Sequence, residues 1–224
     1  MNALAQKQSV LQALGNAGIG VSPQQLSPSV LRRDSSALAT QGLISFGFQK
    51  NGSSSVSSTS ILLENNDSFI VTDIALLIKN CPDTAAGHAA SISYNHYSSL
   101  VFTGANDANL QAIYNGALSV TIDKTQYLPS LATSVFERIP DTQKGTTTTA
   151  YVNASTANAT TTIARDAKNH ALYGFFPVSP FILKGNNESQ SIQVTLPSSV
   201  NMTADSNGNF ATLVFNGYLV SNKN

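Results

Sequence analysis

The three histidines, His88, His96 and His170, are the first residues to consider for chemistry. His88 and His96 stand in a loop-like stretch with Asp83 and Asp107 nearby in the sequence. A protein metal site usually shows tight ligand spacing, such as two histidines one helical turn apart or a pair of cysteines. Neither pattern occurs, so the sequence predicts that no metal is bound.

The carboxylates are scattered singly along the chain, and hydrolysis by a carboxylate pair needs two of them facing each other in a cleft. Asp73 attracts attention because it lies inside an apolar run, where a carboxylate must find a partner or sit at an edge. We expect a structural role for it. A β-sandwich hydrolase that uses Asp73 or Glu137 is the catalytic alternative. The candidates are Glu64, Asp73, Asp123, Glu137 and Asp166.

No motif for nucleophilic or cofactor chemistry is present. The sequence has no Gly-x-Ser-x-Gly elbow, no phosphate-cradling glycine loop and no dinucleotide fingerprint. Cys81 is the single cysteine, which excludes an internal disulfide and predicts a small buried residue rather than a nucleophile. We therefore expect no enzymatic activity, no catalytic residue and no cofactor.

The low content of charged residues also distinguishes between classes of function. Charged residues make up 11% of the 224 residues, with 12 basic and 12 acidic side chains, whereas ordinary domains carry about 25%. Neutral hydroxyl and amide surfaces can pack against copies of themselves without desolvating ions. This composition favours a self-associating subunit over an enzyme with a charged cleft.

The largest basic cluster is Arg32-Arg33. Sequence-specific nucleic-acid binding needs more clustered Lys and Arg than this, so we do not expect it. The pair is instead predicted to make a genome or lipid-headgroup contact.

Residues 1–40 are predicted to form an arm outside the body. Residues 3–14 have the apolar spacing of a short amphipathic helix, followed by a Gly15-Asn16 stop. We expect Leu4, Val10, Leu11 and Leu14 to contact a neighbouring subunit, a membrane or the genome. The alternative, a terminal helix packed on its own domain, stays open.

Residues 41–224 are predicted to be an all-β body. Ile44, Phe46 and Phe48 alternate with polar or small residues, and residues 69–78 (FIVTDIALLI) are a short β-branched apolar run. About ten short strands at such spacing, with few helices, indicate a sandwich or barrel. Further candidates are residues 61–63, 100–102, 118–122, 148–152, 160–163, 171–176, 181–183, 191–196 and 210–220.

Four segments resemble the jelly-roll capsid proteins of tailless icosahedral viruses, including lipid-containing bacteriophages. They are SFIVTDIALLIKN (68–80), YNGALSVTIDKTQYLP (114–129), PFILKGNNESQSIQVTLP (180–197) and LVFNGYLV (213–220). The resemblance implies a jelly-roll body with an N-terminal amphipathic helical arm. It also implies a structural coat subunit that assembles with copies of itself, as a trimer or a larger lattice, and with other virion proteins.

The resemblance further implies that the arm lies against an internal membrane or the genome. Because typical strands take 5–6 residues plus a loop, the length after the arm favours one barrel over two compact ones. We expect neither a signal peptide nor a membrane span, hence synthesis in the host cytoplasm and a place in the virion capsid. A phage spike, tail or adhesin module that binds host glycans is the alternative function.

Overall fold

The computed structural model describes residues 3–35, 37–46, 63, 67–84, 87, 107–136, 174–185, 189–202 and 208–221. The helices with described bounds are α1 (Ala3–Asn16) and α2 (Asp107–Tyr114), with 3-10 turns at Pro23–Gln25 and Thr133–Phe136. Eight strands lie in this part of the chain: β1 (Ser27–Asp34), β2 (Gln41–Phe46), β3 (Asp67–Cys81), β4 (Ala117–Ile122), β5 (Thr125–Ala132), β6 (Phe176–Lys184), β7 (Gln190–Val200) and β8 (Gly208–Ser221).

The strands form two four-stranded antiparallel sheets. Sheet A has the order β1-β8-β3-β6, and sheet B has the order β2-β7-β4-β5. Four of the pairs join the first strand with the last, the second with the seventh, the third with the sixth and the fourth with the fifth. This is the pairing of one long antiparallel ribbon. The remaining pairs, β3 with β8 and β4 with β7, are the contacts made when that ribbon is wound into two layers.

The main core lies between the sheets because strand periodicity turns alternate apolar side chains to one side. On β3 these are Phe69, Val71, Ile74, Leu76 and Ile78, and they pack with the inward residues of β4 and β7. The inward-facing positions of β3 change from odd-numbered to even-numbered residues where its register against β8 shifts, between Val71 and Asp73. The predicted all-β body, a sandwich of two antiparallel sheets, is confirmed.

A two-residue turn joins β4 to β5. Asp123 and Lys124 have φ values of 50° and 68°, the left-handed pair that a tight hairpin turn requires. Asp is one of the residues that tolerate this region without glycine. The turn therefore fixes the β4–β5 hairpin at the end of sheet B.

Pro197 lies within β7, although β7 is a central strand of sheet B. The register explains its position, because the β7 segment from Thr195 to Val200 faces only Gln41 to Leu43 of β2. The pairing of β7 with β4 ends at Thr195. Pro197 thus falls in an irregular stretch of the ladder, where a missing backbone donor is tolerated.

Helix α1 covers part of the outer face of sheet A, the face turned away from sheet B. Val10 and Leu14 of the helix form a second apolar cluster with Ile70 of β3 and with Tyr218 and Val220 of β8. The chain then passes through Gly18, at φ +72°, before it enters β1. The second cluster ties the N-terminal segment to the sheet.

Part of the segment predicted as an arm, residues 1–40, packs within the sandwich. Strand β1 pairs with β8 along its whole length, from Ser27 to Asp34. Leu31 and Leu38 are members of the main core. Residues 27–34 and Leu38 therefore pack with the body, because a strand hydrogen-bonded inside a sheet is not a detached arm.

Candidate functional site

The alternation of β1 sends Arg32 and Arg33 to opposite faces of sheet A. Arg33 is paired with Leu213 of the core and is only 7% exposed. Its Nη1 donates a hydrogen bond to the backbone oxygen of Arg32 (3.2 Å), and burial lowers its pKa to about 10, against the opposing effect of Asp34. The predicted contact of Arg32 and Arg33 with a genome or lipid headgroups stays a prediction, and the burial of Arg33 counts against a contact shared by both guanidinium groups.

Arg32 belongs instead to a buried charge cluster on the outer face of sheet A, made by Arg32, Asp34, Lys79 and Thr212. Lys79 Nζ donates a hydrogen bond to Asp34 Oδ2. Asp34 Oδ1 accepts hydrogen bonds from Thr212 Oγ1 (2.7 Å) and from Arg32 Nε (3.3 Å). Three strands contribute to the cluster, since Asp34 is on β1, Lys79 on β3 and Thr212 on β8 between them.

Lys79 is fully buried, and its ammonium also lies 5.8 Å from the centre of the Phe210 ring. Removal of an ammonium from water disfavours its charged form. Burial accordingly lowers the pKa of Lys79, although its hydrogen bond and ion pair with Asp34 act in the opposite direction. The buried carboxylate is what retains a positive charge at this position.

Opposing effects also act on the pKa of Asp34. Burial would raise its pKa, but hydrogen bonds from Lys79 and Thr212 and the charge of Arg32 together hold the pKa below its usual value. The carboxylate is thus held ionised by three neighbours. A carboxylate in this state neither gives nor takes a proton readily near neutral pH, which favours a structural role for the cluster over acid–base chemistry.

A second polar contact links helix α1 to the sheet. Asp73 Oδ2 accepts hydrogen bonds from Gln6 Nε2 (3.2 Å) and from Thr72 Oγ1 (2.8 Å). Asp73 sits where the register of β3 shifts against β6 and β8. The partners that a carboxylate in an apolar run requires are therefore present, in keeping with its expected structural role.

Three of the four residues predicted to make the arm contact lie against the chain's own sheet. Val10 and Leu14 are fully buried in the second apolar cluster, and Leu11 is partly buried beside it. The side chain of Leu4 lies outside the described residues. This packing favours the alternative left open above, a terminal helix docked on its own domain.

Three large apolar side chains of the described chain are exposed. Val30 on β1 is 47% exposed, Leu43 on β2 is 44% and Tyr127 on β5 is 47%. All three lie on strands at the edge of a sheet. Among the described residues, the large exposed apolar side chains are therefore confined to edge strands.

Several residues considered for chemistry lie outside the described part of the chain: Glu64, His88, His96, Glu137, Asp166 and His170. Within the described ranges, no group of three or more His, Cys, Asp or Glu side chains could hold a metal ion. Cys81 is a buried free cysteine. Across the same ranges, no helix is long and apolar enough to cross a membrane.

Sequence reasoning missed Asp34 and Lys79 as partners. Asp34 follows Arg32-Arg33 and lies 45 residues from Lys79, and the two meet only because β8 lies between β1 and β3. The available signal was weak: Lys79 directly follows the apolar run of β3, at a position where the strand is still buried.

Comparison with known proteins adds no relative, because the chain matches no protein-family model, no curated protein and no solved structure.

Proposed function

We propose that this protein is a self-assembling coat subunit of a virion and that its sandwich is a single jelly roll. The observation that carries the proposal is the strand pairing. A jelly roll is an antiparallel ribbon wound into two sheets, and viral capsid domains are among its main users. The orders β1-β8-β3-β6 and β2-β7-β4-β5 are those that such winding produces.

The filled interior supports a structural role. Jelly rolls also serve as ligand-binding and metal-binding domains, and these need a cavity or a set of polar ligands between the sheets. Here the space between the sheets is occupied by large apolar side chains, among them Phe46, Phe69, Phe136, Phe181 and Phe215. Such packing provides a rigid block rather than a binding chamber.

The sparse charge supports association between copies. A lattice contact buries surface from both partners, and each buried ion costs desolvation energy unless it is paired. A chain with 11% charged residues offers mainly neutral surface for such contacts. Closed symmetry then allows one set of surfaces to build a complete shell.

Helix α1 acts in this proposal as a cover for the outer face of sheet A. Val10 and Leu14 already contact the chain's own sheet, so lattice contacts fall on the remaining body surface, including the sheet edges. Any contact with a genome or an internal membrane is left to the exposed side of α1, because Arg33 is buried and Arg32 is bound to Asp34.

Sedimentation velocity of the purified full-length chain over a wide dilution series tests the proposal. A coat subunit is expected to give large species whose proportion rises with protein concentration. A single monomeric species at every concentration would contradict the proposal. Glycan-array binding by that monomer would instead support the adhesin alternative.

A further inference from the structure

The four edge strands of the sandwich differ in how they are protected from pairing with another chain. Three of them carry proline: β1 has Pro28, β5 has Pro129, and β6 has Pro177 and Pro180. Strands β1 and β6 also carry charged side chains. Strand β2, with the sequence QGLISF, has neither a proline nor a charge.

This difference matters because an edge strand presents backbone N–H and C=O groups on its open side. Natural sheets block these groups with proline, charged side chains, bulges or a covering segment, since an open edge pairs with other strands. A strand left without such protection is suited to pairing. Only one edge strand of the described sandwich, β2, has this character.

The geometry of β2 also suits pairing. Ile44 and Phe46 are buried in the main core and fix the strand in place. The residues between and before them, Gly42, Leu43 and Ser45, are exposed. The irregularity of the β2–β7 ladder falls in β7, between Thr195 and Val200, so the Leu43–Phe46 stretch of β2 remains regular.

We propose that β2 pairs antiparallel with β2 of a second copy of this chain, so that two B sheets join into one continuous eight-stranded sheet across a two-fold axis. The inference rests on the proposed function, and it names the contact that begins assembly. A two-fold interface must be self-complementary. A neutral strand meets this requirement, because like charges directly opposite each other would repel.

The partner's chemistry follows from the same residues. A two-fold axis perpendicular to the sheet places outward residues opposite outward residues, so Leu43 faces Leu43 or Ser45 of the copy. The exposed side chain of Leu43 would thereby become covered. A proline-containing or charged edge, such as β1, β5 or β6, would leave the backbone donors of β2 unmatched or bring an ion into the contact.

The first test is Leu43→Lys, with Val30→Lys as the matched control. Both residues are exposed aliphatic side chains on edge strands, but β1 is already blocked by Pro28 and by charges. In sedimentation velocity we expect Leu43→Lys to abolish the large species and Val30→Lys to preserve them. Large species from Leu43→Lys equal to those of the unmodified chain would overturn the β2 contact and leave the proposed function intact. A monomeric unmodified chain would overturn both.

A second test does not depend on how well the lysine variant folds. The double variant Leu43→Cys and Ser45→Cys places a thiol at both outward positions of the regular stretch. Directly opposed strand residues have Cα atoms about 4.5–5.5 Å apart, a separation that a disulfide spans. We expect mild oxidation of the assembled protein to give a covalent dimer on a non-reducing gel.

The control is Val30→Cys, which shares the buried native Cys81 and is expected to stay largely uncrosslinked. If the assembled double variant yields no more covalent dimer than Val30→Cys, the proposed pairing of β2 with its copy is overturned.

Discussion

The two sheets of the sandwich are built from the same number of strands but meet their surroundings differently. Strand β3 of sheet A is buried on both faces along nearly its whole length. Strand β4 of sheet B alternates between fully and partly buried residues. Sheet A has a core on one face and helix α1 and the charge cluster on the other, whereas sheet B turns its outer face to the surroundings.

The difference shows which half of the molecule holds the fold and which half is available for contacts. Antiparallel sheets usually have one solvated face and an alternating sequence, as sheet B does. The continuous apolar run of β3 signals a strand with no solvated face. We therefore expect stability to depend mainly on sheet A, whereas the proposed assembly contact lies on sheet B, and the following variants test that division.

The largest effect is expected from Asp34→Asn, which removes one charge of the buried ion pair in sheet A. Loss of one partner leaves Lys79 charged and buried without its counter-ion, at a cost of about 3–5 kcal/mol in the free energy of unfolding. Asp123→Asn, in the exposed β4–β5 turn of sheet B, is the matched control and should change stability by less than about 0.5 kcal/mol. Chemical denaturation measures the free energy of unfolding of both variants. Equal losses of stability would contradict the difference between the two sheets.

A double variant sharpens this result. If Asp34→Asn destabilises because it strands a buried charge, addition of Lys79→Met should recover part of the lost stability, since the remaining ion is removed. A double variant less stable than Asp34→Asn alone would show that Lys79 contributes mainly through other contacts.

Gly217→Ala is expected to follow in size. A Cβ atom at Gly217 would overlap the backbone oxygen of Ile70 on the neighbouring strand. The two strands must separate to admit the methyl group, at a cost of roughly 3 kcal/mol. The control is Gly42→Ala on β2, where nothing lies within 4 Å of the added atom. We expect the thermal unfolding midpoint of Gly217→Ala to lie well below that of Gly42→Ala. An unchanged midpoint for Gly217→Ala would contradict the tight pairing of β3 with β8.

Leu14→Ala tests the cover that α1 provides on sheet A. The side chain is fully buried in the second apolar cluster, so its truncation should destabilise the chain by about 2–3 kcal/mol. The exposed Leu43→Ala on sheet B should cost far less. Equal unfolding midpoints for the two variants would mean that α1 does not rest stably on the sheet.

The smallest expected effect is on the pH dependence of unfolding. Asp34 has a lowered pKa in the folded chain, so its contribution to stability is present above the unfolded value of about 3.9. It is lost as the pH falls from there through the folded pKa. The stability of the unmodified chain should therefore fall more steeply in acid than that of Asp34→Asn. If the unfolding free energies of the two proteins fall in parallel with pH, the ionised partners of Asp34 do not make its carboxylate stabilising.

Much of the fold could be predicted from the sequence where a strand is strongly apolar. Residues 69–78 and 210–220 predict β3 and β8, and both strands are present and paired with each other. The alternation at Ile44 and Phe46 likewise predicts β2. Such patterns are reliable because the two long runs are buried within sheet A and the inward side chains of β2 lie in the main core.

Other elements were missed for identifiable reasons. Strand β1 (SPSVLRRD) contains a proline and three charges, and it is recognisable as a strand only through its pairing with β8. Strand β5 (TQYLPSLA) is an exposed edge whose apolar residues show no clear alternation. Helix α2 (DANLQAIY) is too short for a firm helical period. Predicted strands at residues 100–102, 148–152 and 160–163, and most of 171–176, lie outside the described residues.

The charge cluster could not be predicted at all. Asp34 and Lys79 are brought together by the position of β8 between β1 and β3, which is a property of the strand order. The packing of α1 depends on the same order, since the face of sheet A next to α1 supplies apolar partners for Val10 and Leu14. Local sequence shows which side chains are apolar but not which surface will cover them.

Electron microscopy of the purified full-length chain at high concentration is the decisive test of the proposed coat subunit. We expect closed shells of uniform size, whose subunits resolve into eight-stranded barrels with B sheets joined at β2. A field of separate single molecules under those conditions would contradict the assignment of this chain as a coat subunit.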